Sequence, residues 1–183
     1  MWTRIKNLFV EGKAYIKGKV VVDSISARRY DNLPISVGKD IGCHVTRDSN
    51  FSVMPDNCVP VPFNVIRYDT DEMFDIENGR IVIKTKGKYI IGVNIGWAYN
   101  PNGIRILSIK RISEIKGTSY VARSYSSPYV SGTAYGITQF ICVDVDCDVG
   151  EIYFVDVYQN SGSFLTIGKE DEFYPEFWAR KVG

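Results

Sequence analysis

Apolar and polar residues alternate in short runs along most of the chain, and this two-residue period predicts β-strands. The stretch from Arg80 to Trp97 shows the pattern most fully. Ile81 and Ile83 alternate with other residues, a polar turn around Gly87 follows, and Tyr89 to Trp97 is a longer apolar run. Two β-runs around a glycine-containing turn predict a hairpin. Its second strand is apolar enough to be central and covered on both faces.

The same alternation continues on both sides of this stretch. The other runs that predict strands are IGCHVTR from Ile41, VPVPFNVIRYD from Val59, IRILSIKRI from Ile104, SYVARSY from Ser119, TAYGITQFICVDV from Thr133, EIYFVDVYQ from Glu151 and FYPEFWARKV from Phe173. No stretch combines the apolar period of a helix with capping residues. Eight or so strands separated by polar turns predict an all-β fold, a two-sheet antiparallel jelly-roll sandwich.

The first 40 residues have a different rhythm from the rest. Gly12 and Gly18 punctuate short β-runs six residues apart, and this resembles the shafts of bacteriophage fibres and spikes, in which three chains wind together. A pair of ordinary N-terminal strands on the main domain is the alternative. The stretch from Arg28 to Gly42 is a predicted linker, with a boundary near Pro34. We therefore expect a stem and linker over residues 1–40 and a head over residues 41–183.

Composition and charge exclude several classes of protein. The chain has 183 residues, 45% of them hydrophobic and 13% aromatic, and its net charge is +1. Such a balance gives no broad electrostatic basis for binding nucleic acid or an anionic membrane. No apolar run is long enough to cross a bilayer, and the first residues lack the features of a signal peptide. We expect no nucleic-acid partner, no membrane insertion and no classical secretion.

The cysteines and the single histidine give little basis for catalysis. None of Cys43, Cys58, Cys142 and Cys147 forms a C-x-x-C pair, so we expect them to be reduced. A Cys43–Cys58 bridge remains an alternative that spacing does not decide. Cys43 and His44 are adjacent on a predicted strand and point to opposite faces, so they cannot act as a pair. With no phosphate-binding or nucleophile-elbow motif either, the sequence predicts a protein that is not an enzyme.

Acidic residues offer two places for calcium, which prefers clustered oxygen ligands. Asp144, Asp146 and Asp148 alternate in DVDCDVG and would line one face of a strand and its exit. The loop from Asp69 to Asp75 is the second place. We favour the alternative that both are charged strand ends, which keep sheet edges soluble. No other cofactor is expected.

The segment from Gly117 to Gly136 has the composition of a recognition surface, with tyrosines among serines and glycines. The alternative is that some of these tyrosines line the sandwich or an assembly axis. Trp97 and Tyr99, at the end of the apolar run, would add a stacking platform for a sugar. The candidate ligand-binding residues are Trp97, Tyr99, Tyr120, Arg123, Tyr125, Tyr129 and Tyr135.

A series of landmarks resembles the globular heads of the complement-1q and tumour-necrosis-factor-like family. The landmarks are Pro62-Phe63, Tyr68-Asp69, Phe74, Asn78-Gly79-Arg80, Gly87-x-Tyr89, the glycine turn before EIYFVDVYQNSG and Phe177-Trp178-Ala179. They cover roughly residues 42–183. The usual glycine-aspartate turn appears here as Asp148 to Glu151, and the collagen stalk of the animal proteins is absent. A β-stem in its place is similar to the versions of this head on bacteriophage fibre, spike or decoration proteins.

The resemblance implies a ten-strand jelly roll that assembles as a homotrimer. The sequence makes this plausible because several strands carry more apolar surface than one sandwich interior needs. The residues expected in the trimer core are Tyr89, Ile91, Val93, Tyr153, Val155 and Trp178.

These observations lead to one expected function and two alternatives. We expect a non-enzymatic, homotrimeric virion protein of a bacteriophage, assembled in the host cytoplasm and attached to other virion proteins through its N-terminal segment. Its head would bind a host-surface glycan or protein, or would stabilise the particle. The alternatives are a bacterial or spore-surface adhesion module with the same head, and a glycan-active enzyme.

Overall fold

A computed structural model describes residues 40–115, 117–127, 136–168 and 174–182. Within these ranges the chain forms strands, turns and loops, and none of the described residues is helical. None of them therefore belongs to a helix that could cross a membrane. The strands are β1 (Gly42–Thr46), β2 (Phe51–Val53), β3 (Val59–Pro60), β4 (Val65–Asp69), β5 (Phe74–Asp75), β6 (Arg80–Val82), β7 (Gly87–Trp97), β8 (Arg105–Ser113), β9 (Gly117–Ser126), β10 (Ile137–Cys147), β11 (Ile152–Gln159), β12 (Leu165–Ile167) and β13 (Glu176–Lys181). The predicted all-β class is confirmed.

Two antiparallel sheets share the strands. The first sheet has seven strands, and β7 is central. β10 pairs with one side of β7, and β13 and β12 pair with the other side. Beyond β13 the sheet continues with β1 and β4, and beyond β12 it continues with β2. In the second sheet, of six strands, β11 has β8 on one side and β6 and β3 on the other, and β9 and β5 lie further out. This two-sheet arrangement confirms the predicted sandwich.

The stretch from Arg80 to Trp97 does not form the predicted hairpin. Its first strand, β6, pairs with β5 and β11 in the second sheet, whereas its second strand, β7, pairs with β10 and β13 in the first. Residues 83–86 therefore carry the chain from one sheet to the other. A short polar turn is compatible with both a hairpin and a sandwich corner, so local pattern does not separate the two. The prediction that β7 is a central strand is confirmed, but its coverage on both faces is not, because Ile90 on the outer face is exposed.

The core lies between the sheets and is built from alternate residues of the long strands. On β7 every second side chain from Tyr89 to Trp97 is fully buried, because the strand period of two places them all on the inner face. Leu107 and Ile109 of β8 lie in the same core from the other sheet, together with the inward residues of β11. About 25 cal/mol is gained per Å² of apolar surface buried in this way, so this layer is the main stabilising element.

Five of the six residues expected in a trimer core lie instead in the interior of a single chain. Tyr89, Ile91, Val93, Tyr153 and Val155 retain at most 1% of their accessible surface. Side chains without accessible surface in one chain cannot contact another chain, so this assignment is wrong for these five. The assignment chose the inner face of these strands instead of the outer face, because adjacent residues on a strand point to opposite sides. Only Trp178 points outward.

Trp97 also lies in the core, which corrects its assignment to a sugar-stacking platform. Its indole N–H donates a hydrogen bond to Gln139 Oε1 at 2.7 Å. The amide of Gln139 in turn donates to the backbone oxygen of Ser124 at 3.1 Å, across to the second sheet. The two buried side chains thus satisfy one another and connect the sheets.

Candidate functional site

Four aromatic side chains form a row across the outer surface of the first sheet. They are Tyr68 on β4, His44 on β1, Trp178 on β13 and Phe140 on β10, and we call this surface the aromatic face. Neighbouring ring centroids are 5.8 Å apart for His44 and Tyr68, 6.2 Å for His44 and Trp178, and 6.0 Å for Phe140 and Trp178. These are ordinary distances for edge-to-face and tilted aromatic pairs.

Strand register explains why these rings meet. His44 is directly opposite Tyr68 on one neighbouring strand and opposite Trp178 on the other. Trp178 is opposite Gly92 of β7, and its indole lies directly on the glycine backbone. A Cβ atom at Gly92 would come within 2.2 Å of the indole ring, so only glycine leaves room for this contact.

The aromatic face is accessible in the isolated chain. Phe140 exposes 57% of its surface and Tyr68 42%, and Ile90, which lines the same surface, is exposed as well. Between the rings lies a shallow concavity of about 330 Å³, lined by His44, Tyr68, Ile90, Glu176, Trp178 and Arg180. Exposed aromatic and aliphatic side chains grouped in this way mark a surface for interaction.

A histidine and a carboxylate sit within this apolar surface. His44 Nε2 lies 3.7 Å from Glu176 Oε2, too far for a hydrogen bond, and Nε2 is buried without a hydrogen-bond partner. The pair is positioned by adjacent strands, β1 and β13, and gives the aromatic face its polar centre.

A second cluster lies on the outer surface of the other sheet, and we call it the cation–aromatic cluster: Tyr120, Arg123 and Tyr125 on β9. The guanidinium carbon of Arg123 is 3.8 Å from the ring centroid of Tyr120 and 5.6 Å from that of Tyr125. Tyr120 exposes 48% of its surface and Tyr125 exposes 62%. The structure thus brings together three of the predicted ligand-binding residues in an exposed position.

Lys110 of β8 borders this cluster. Its ammonium group is 4.7 Å from the Tyr120 ring centroid and is ion-paired with the buried carboxylate of Asp156. Burial by itself lowers the pKa of Lys110, but interactions with Asp156 and, to a smaller extent, Tyr120 together outweigh burial, and the pKa is raised. The lysine is therefore charged at neutral pH, and its charge is matched by an acid.

The other predicted ligand-binding residues do not join the cluster. Tyr99 is exposed beyond the end of β7, and no contact connects it with Tyr120 or Tyr125. Tyr129 and Tyr135 lie outside the described residues.

The predicted calcium ligands do not converge. Asp144 pairs with Lys88 at 3.3 Å and Asp148 with Lys86 at 2.7 Å, at exposed positions on the rim of the sandwich. Among the described residues no three His, Cys, Asp or Glu side chains come together in a way that could hold a metal ion. Asp144, Asp146 and Asp148 therefore do not come together as a calcium site in this arrangement.

The second predicted calcium place has a structural explanation. Asp69 accepts hydrogen bonds from the backbone N–H groups of Met73 at 2.9 Å and Phe74 at 2.8 Å. Its carboxylate therefore closes the loop before β5.

The two buried thiols are unsuited to nucleophilic chemistry. Cys43 and Cys147 are buried, and burial raises the pKa of Cys43 to about 12 and that of Cys147 to about 11. A buried thiol with a raised pKa is inert. None of the four cysteines is in a disulfide, and Cys58 and Cys142 are exposed. Cys43 faces the core and His44 faces outward, as predicted, so these neighbours do not form a pair.

Sequence reasoning missed the aromatic face. Phe140 and Ile141 are adjacent on β10, and one is exposed while the other is buried. A strand with large apolar residues at both odd and even positions has an apolar outer side as well as an inner one. That signal is present in TQFICV, from which only a strand was predicted.

Comparison with known proteins identifies the fold. No protein-family model and no curated protein matches the sequence. Solved structures do match. The Eiger TNF of S. frugiperda has a TM-score of 0.61 at 13% identity, covering 79% of this chain and 94% of its own. The globular domain of zebrafish complement 1qA has a TM-score of 0.56 at 13% identity, covering 78% and 98%. Murine APRIL has a TM-score of 0.58 at 9% identity, covering 77% and 98%.

These matches confirm the predicted fold. The described part of the chain is a jelly roll of the TNF and complement-1q type, and the matches span nearly the whole of each compared chain. At these identities the likeness shows the fold alone.

Proposed function

We propose that this chain is the non-enzymatic head of a homotrimeric assembly that displays its second sheet outward. The observation that carries the proposal is the exposed aromatic face on the first sheet. Burying these rings and the adjacent Ile90 removes apolar surface from water, and aromatic residues are enriched in the cores of protein interfaces. The resemblance to the complement-1q and tumour-necrosis-factor-like heads implies a homotrimer, which supports a threefold arrangement.

In a cyclic trimer each chain contacts its two neighbours through two different surfaces. The aromatic face suits this arrangement because its two ends differ. Phe140 lies towards one end of the aromatic row and Tyr68 at the other, separated by His44 and Trp178. Packing the Phe140 end of one copy against the Tyr68 end of the next would close the ring. The residues that we now expect between chains are thus Tyr68, Ile90, Phe140 and Trp178.

The mass of the purified chain in solution tests assembly. We expect three times the chain mass by light scattering or native mass spectrometry. Phe140→Lys places a charge in the middle of the contact and should yield monomers, whereas Tyr125→Ala on the opposite sheet should leave the trimer intact. A monomeric wild-type chain would contradict the proposal, as would a Phe140→Lys protein that stayed trimeric.

We further propose that the assembly is a bacteriophage virion protein, a fibre, spike or decoration protein that residues 1–40 attach to the particle. The glycine-punctuated β-runs of that segment support this. The head would bind a host-surface molecule or stabilise the particle. Detection of the chain in purified virions, followed by electron microscopy of labelled particles, tests this location.

The adhesion module of a bacterial or spore surface is the second candidate, since the same head and segment would serve it. Finding the chain in cell envelopes or spore coats, and not in particles, would favour it. An enzymatic role would be established instead if the purified protein depolymerised host polysaccharide.

A further inference from the structure

We infer that the cation–aromatic cluster of Tyr120, Arg123 and Tyr125 binds a carboxylate-bearing sugar. This inference deepens the proposed recognition function of the outward sheet and rests on it. The ligand unit is an acidic monosaccharide residue, as found in uronic or sialic acid glycans. Its carboxylate would meet Arg123 and its ring would lie against Tyr125.

A β-bulge creates the cluster. Tyr120 and Arg123 are three residues apart, and in a regular strand an odd spacing would place them on opposite faces. The β8–β9 register shifts between Ile109 and Lys110, so that Tyr120 is opposite Lys110 and Arg123 is opposite Ser108. The extra residue restores both side chains to the outer face. Bulges are known to redirect side chains in this way.

Arg123 carries the unmatched positive charge of the cluster. Among the described residues no carboxylate lies within ion-pair distance of it, whereas its neighbour Lys110 is paired with Asp156. Its Nε donates to Ser108 Oγ at 3.4 Å, which is a long hydrogen bond, and the described part of the chain offers the two terminal nitrogens no acceptor. A guanidinium presents these donors as a planar fork that matches a carboxylate.

The two tyrosines prepare this fork for binding. Tyr120 lies against the guanidinium at 3.8 Å and thereby limits its orientations, which lowers the entropy lost when a ligand binds. Tyr125 is the most exposed aromatic side chain of the cluster and lies on the other side of Arg123. Tyr125 therefore offers an exposed, rigid ring beside the guanidinium of Arg123. This pair suits a ligand in which one unit carries both an apolar ring face and a carboxylate.

Titration of the assembled full chain tests the ligand class. The probes are sodium glucuronate, galacturonate and N-acetylneuraminate, each compared with its uncharged methyl ester, and inorganic phosphate. We expect at least one acid to bind with a Kd of about 1 mM, a usual strength for one charged fork and one ring. Its ester should bind at least about tenfold more weakly, because the charge-assisted hydrogen bonds are lost.

Variants assign binding to the cluster. Arg123→Gln should weaken binding of the acid by about tenfold or more, and Arg123→Lys should also weaken it because the ammonium is not a planar fork. Tyr125→Ala should weaken it about fivefold. The matched control is Arg67→Gln, which removes another exposed arginine that lies 5.5 Å over a tyrosine ring, at Tyr174. Arg67→Gln should bind like the wild type.

Three results would overturn the inference. They are the absence of binding by all three acids at 10 mM, equal binding of acid and ester, and equal losses in Arg123→Gln and Arg67→Gln. Phosphate binding that depends on Arg123 and exceeds that of every acid would show a general anion site and would equally overturn the sugar class.

Adsorption to host cells separates this inference from the proposed function. If Arg123→Gln and Tyr125→Ala reduce adsorption although no acid binds, recognition by the cluster stands and the sugar class is wrong. If the acid binds and adsorption is unchanged, the ligand class stands and host attachment through this cluster is wrong. Both variants should remain trimeric, because the cluster and the aromatic face lie on different sheets.

Discussion

At the scale of single residues, the contact between Trp178 and Gly92 shapes the aromatic face. The indole occupies the space that a side chain on the central strand would fill. It therefore lies flat on the sheet and brings His44 and Phe140 to either side of it. The sequence shows a glycine within a strand, which predicts a weak point or a close approach. Strand register determines which side chain approaches this glycine.

Gly92→Ala tests this contact. The new Cβ would lie within 2.2 Å of the ring, so Trp178 must turn away, at a cost of about 1–3 kcal/mol in the free energy of unfolding. Denaturant unfolding and tryptophan fluorescence measure the loss and the movement. Trp178→Leu combined with Gly92→Ala is the control. The two changes together should cost less than the sum of their separate effects. Simple additivity would contradict the contact.

At the scale of elements, a buried arginine holds the turn that connects β7 to β8. Arg105 is fully buried, and burial lowers its pKa. Its guanidinium donates to the backbone oxygens of Asn100 at 2.7 Å and Gly103 at 3.0 Å, and also to that of Asn102. The NPNG sequence predicts a turn. Arg105 follows this turn and points inward. The sequence does not show why this inward residue is polar; the reason is that the backbone carbonyls of the turn need a hydrogen-bond donor.

Arg105→Lys tests this role while keeping the charge. A single ammonium cannot reach three carbonyls spread over four residues, and a buried charge left with fewer acceptors is costly. We expect a loss of about 2–3 kcal/mol in the free energy of unfolding, measured by chemical denaturation. Arg123→Lys, at an exposed position on the neighbouring strand, is the matched control and should change stability little. Equal stability of the two variants would contradict the role of Arg105.

At the scale of the whole molecule, the buried thiols make stability fall at alkaline pH. The pKa of Cys43 is about 12 in the folded chain, raised from 9.0 mainly by burial and secondarily by the charge of Asp69. Between these values the unfolded chain releases the proton and the folded chain keeps it. The unfolded state then binds fewer protons, so the free energy of unfolding decreases as pH rises.

Cys43→Ala should therefore flatten the pH dependence. From pH 9 to pH 10 the wild type should lose about 1 kcal/mol more than the variant, whatever the variant's stability at neutral pH. Urea denaturation at half-unit pH intervals measures the slopes. Cys142→Ala removes an exposed thiol and is the matched control, with the wild-type slope expected. Identical slopes for wild type and Cys43→Ala would contradict the argument.

The sequence by itself determined the class of the fold and the positions of its main strands. A period of two and turn residues depend only on neighbouring positions, so β7, β8, β10 and β11 were predictable, as was the opposite orientation of Cys43 and His44. The composition of the segment containing Tyr120 and Tyr125 predicts a recognition surface, and both tyrosines are exposed as such a surface requires.

Only the tertiary structure decided how the strands pair and which of their faces is covered. Residues 80–97 divide between two sheets because burial of both strands requires partners distant in the chain. The same pairing covers Trp97 and Tyr89 completely and leaves Phe140 and Tyr68 exposed. It also introduces the bulge that unites Tyr120 with Arg123. Strand pairing and register depend on long-range contacts, so alternation along one strand defines two faces without showing which one meets the core.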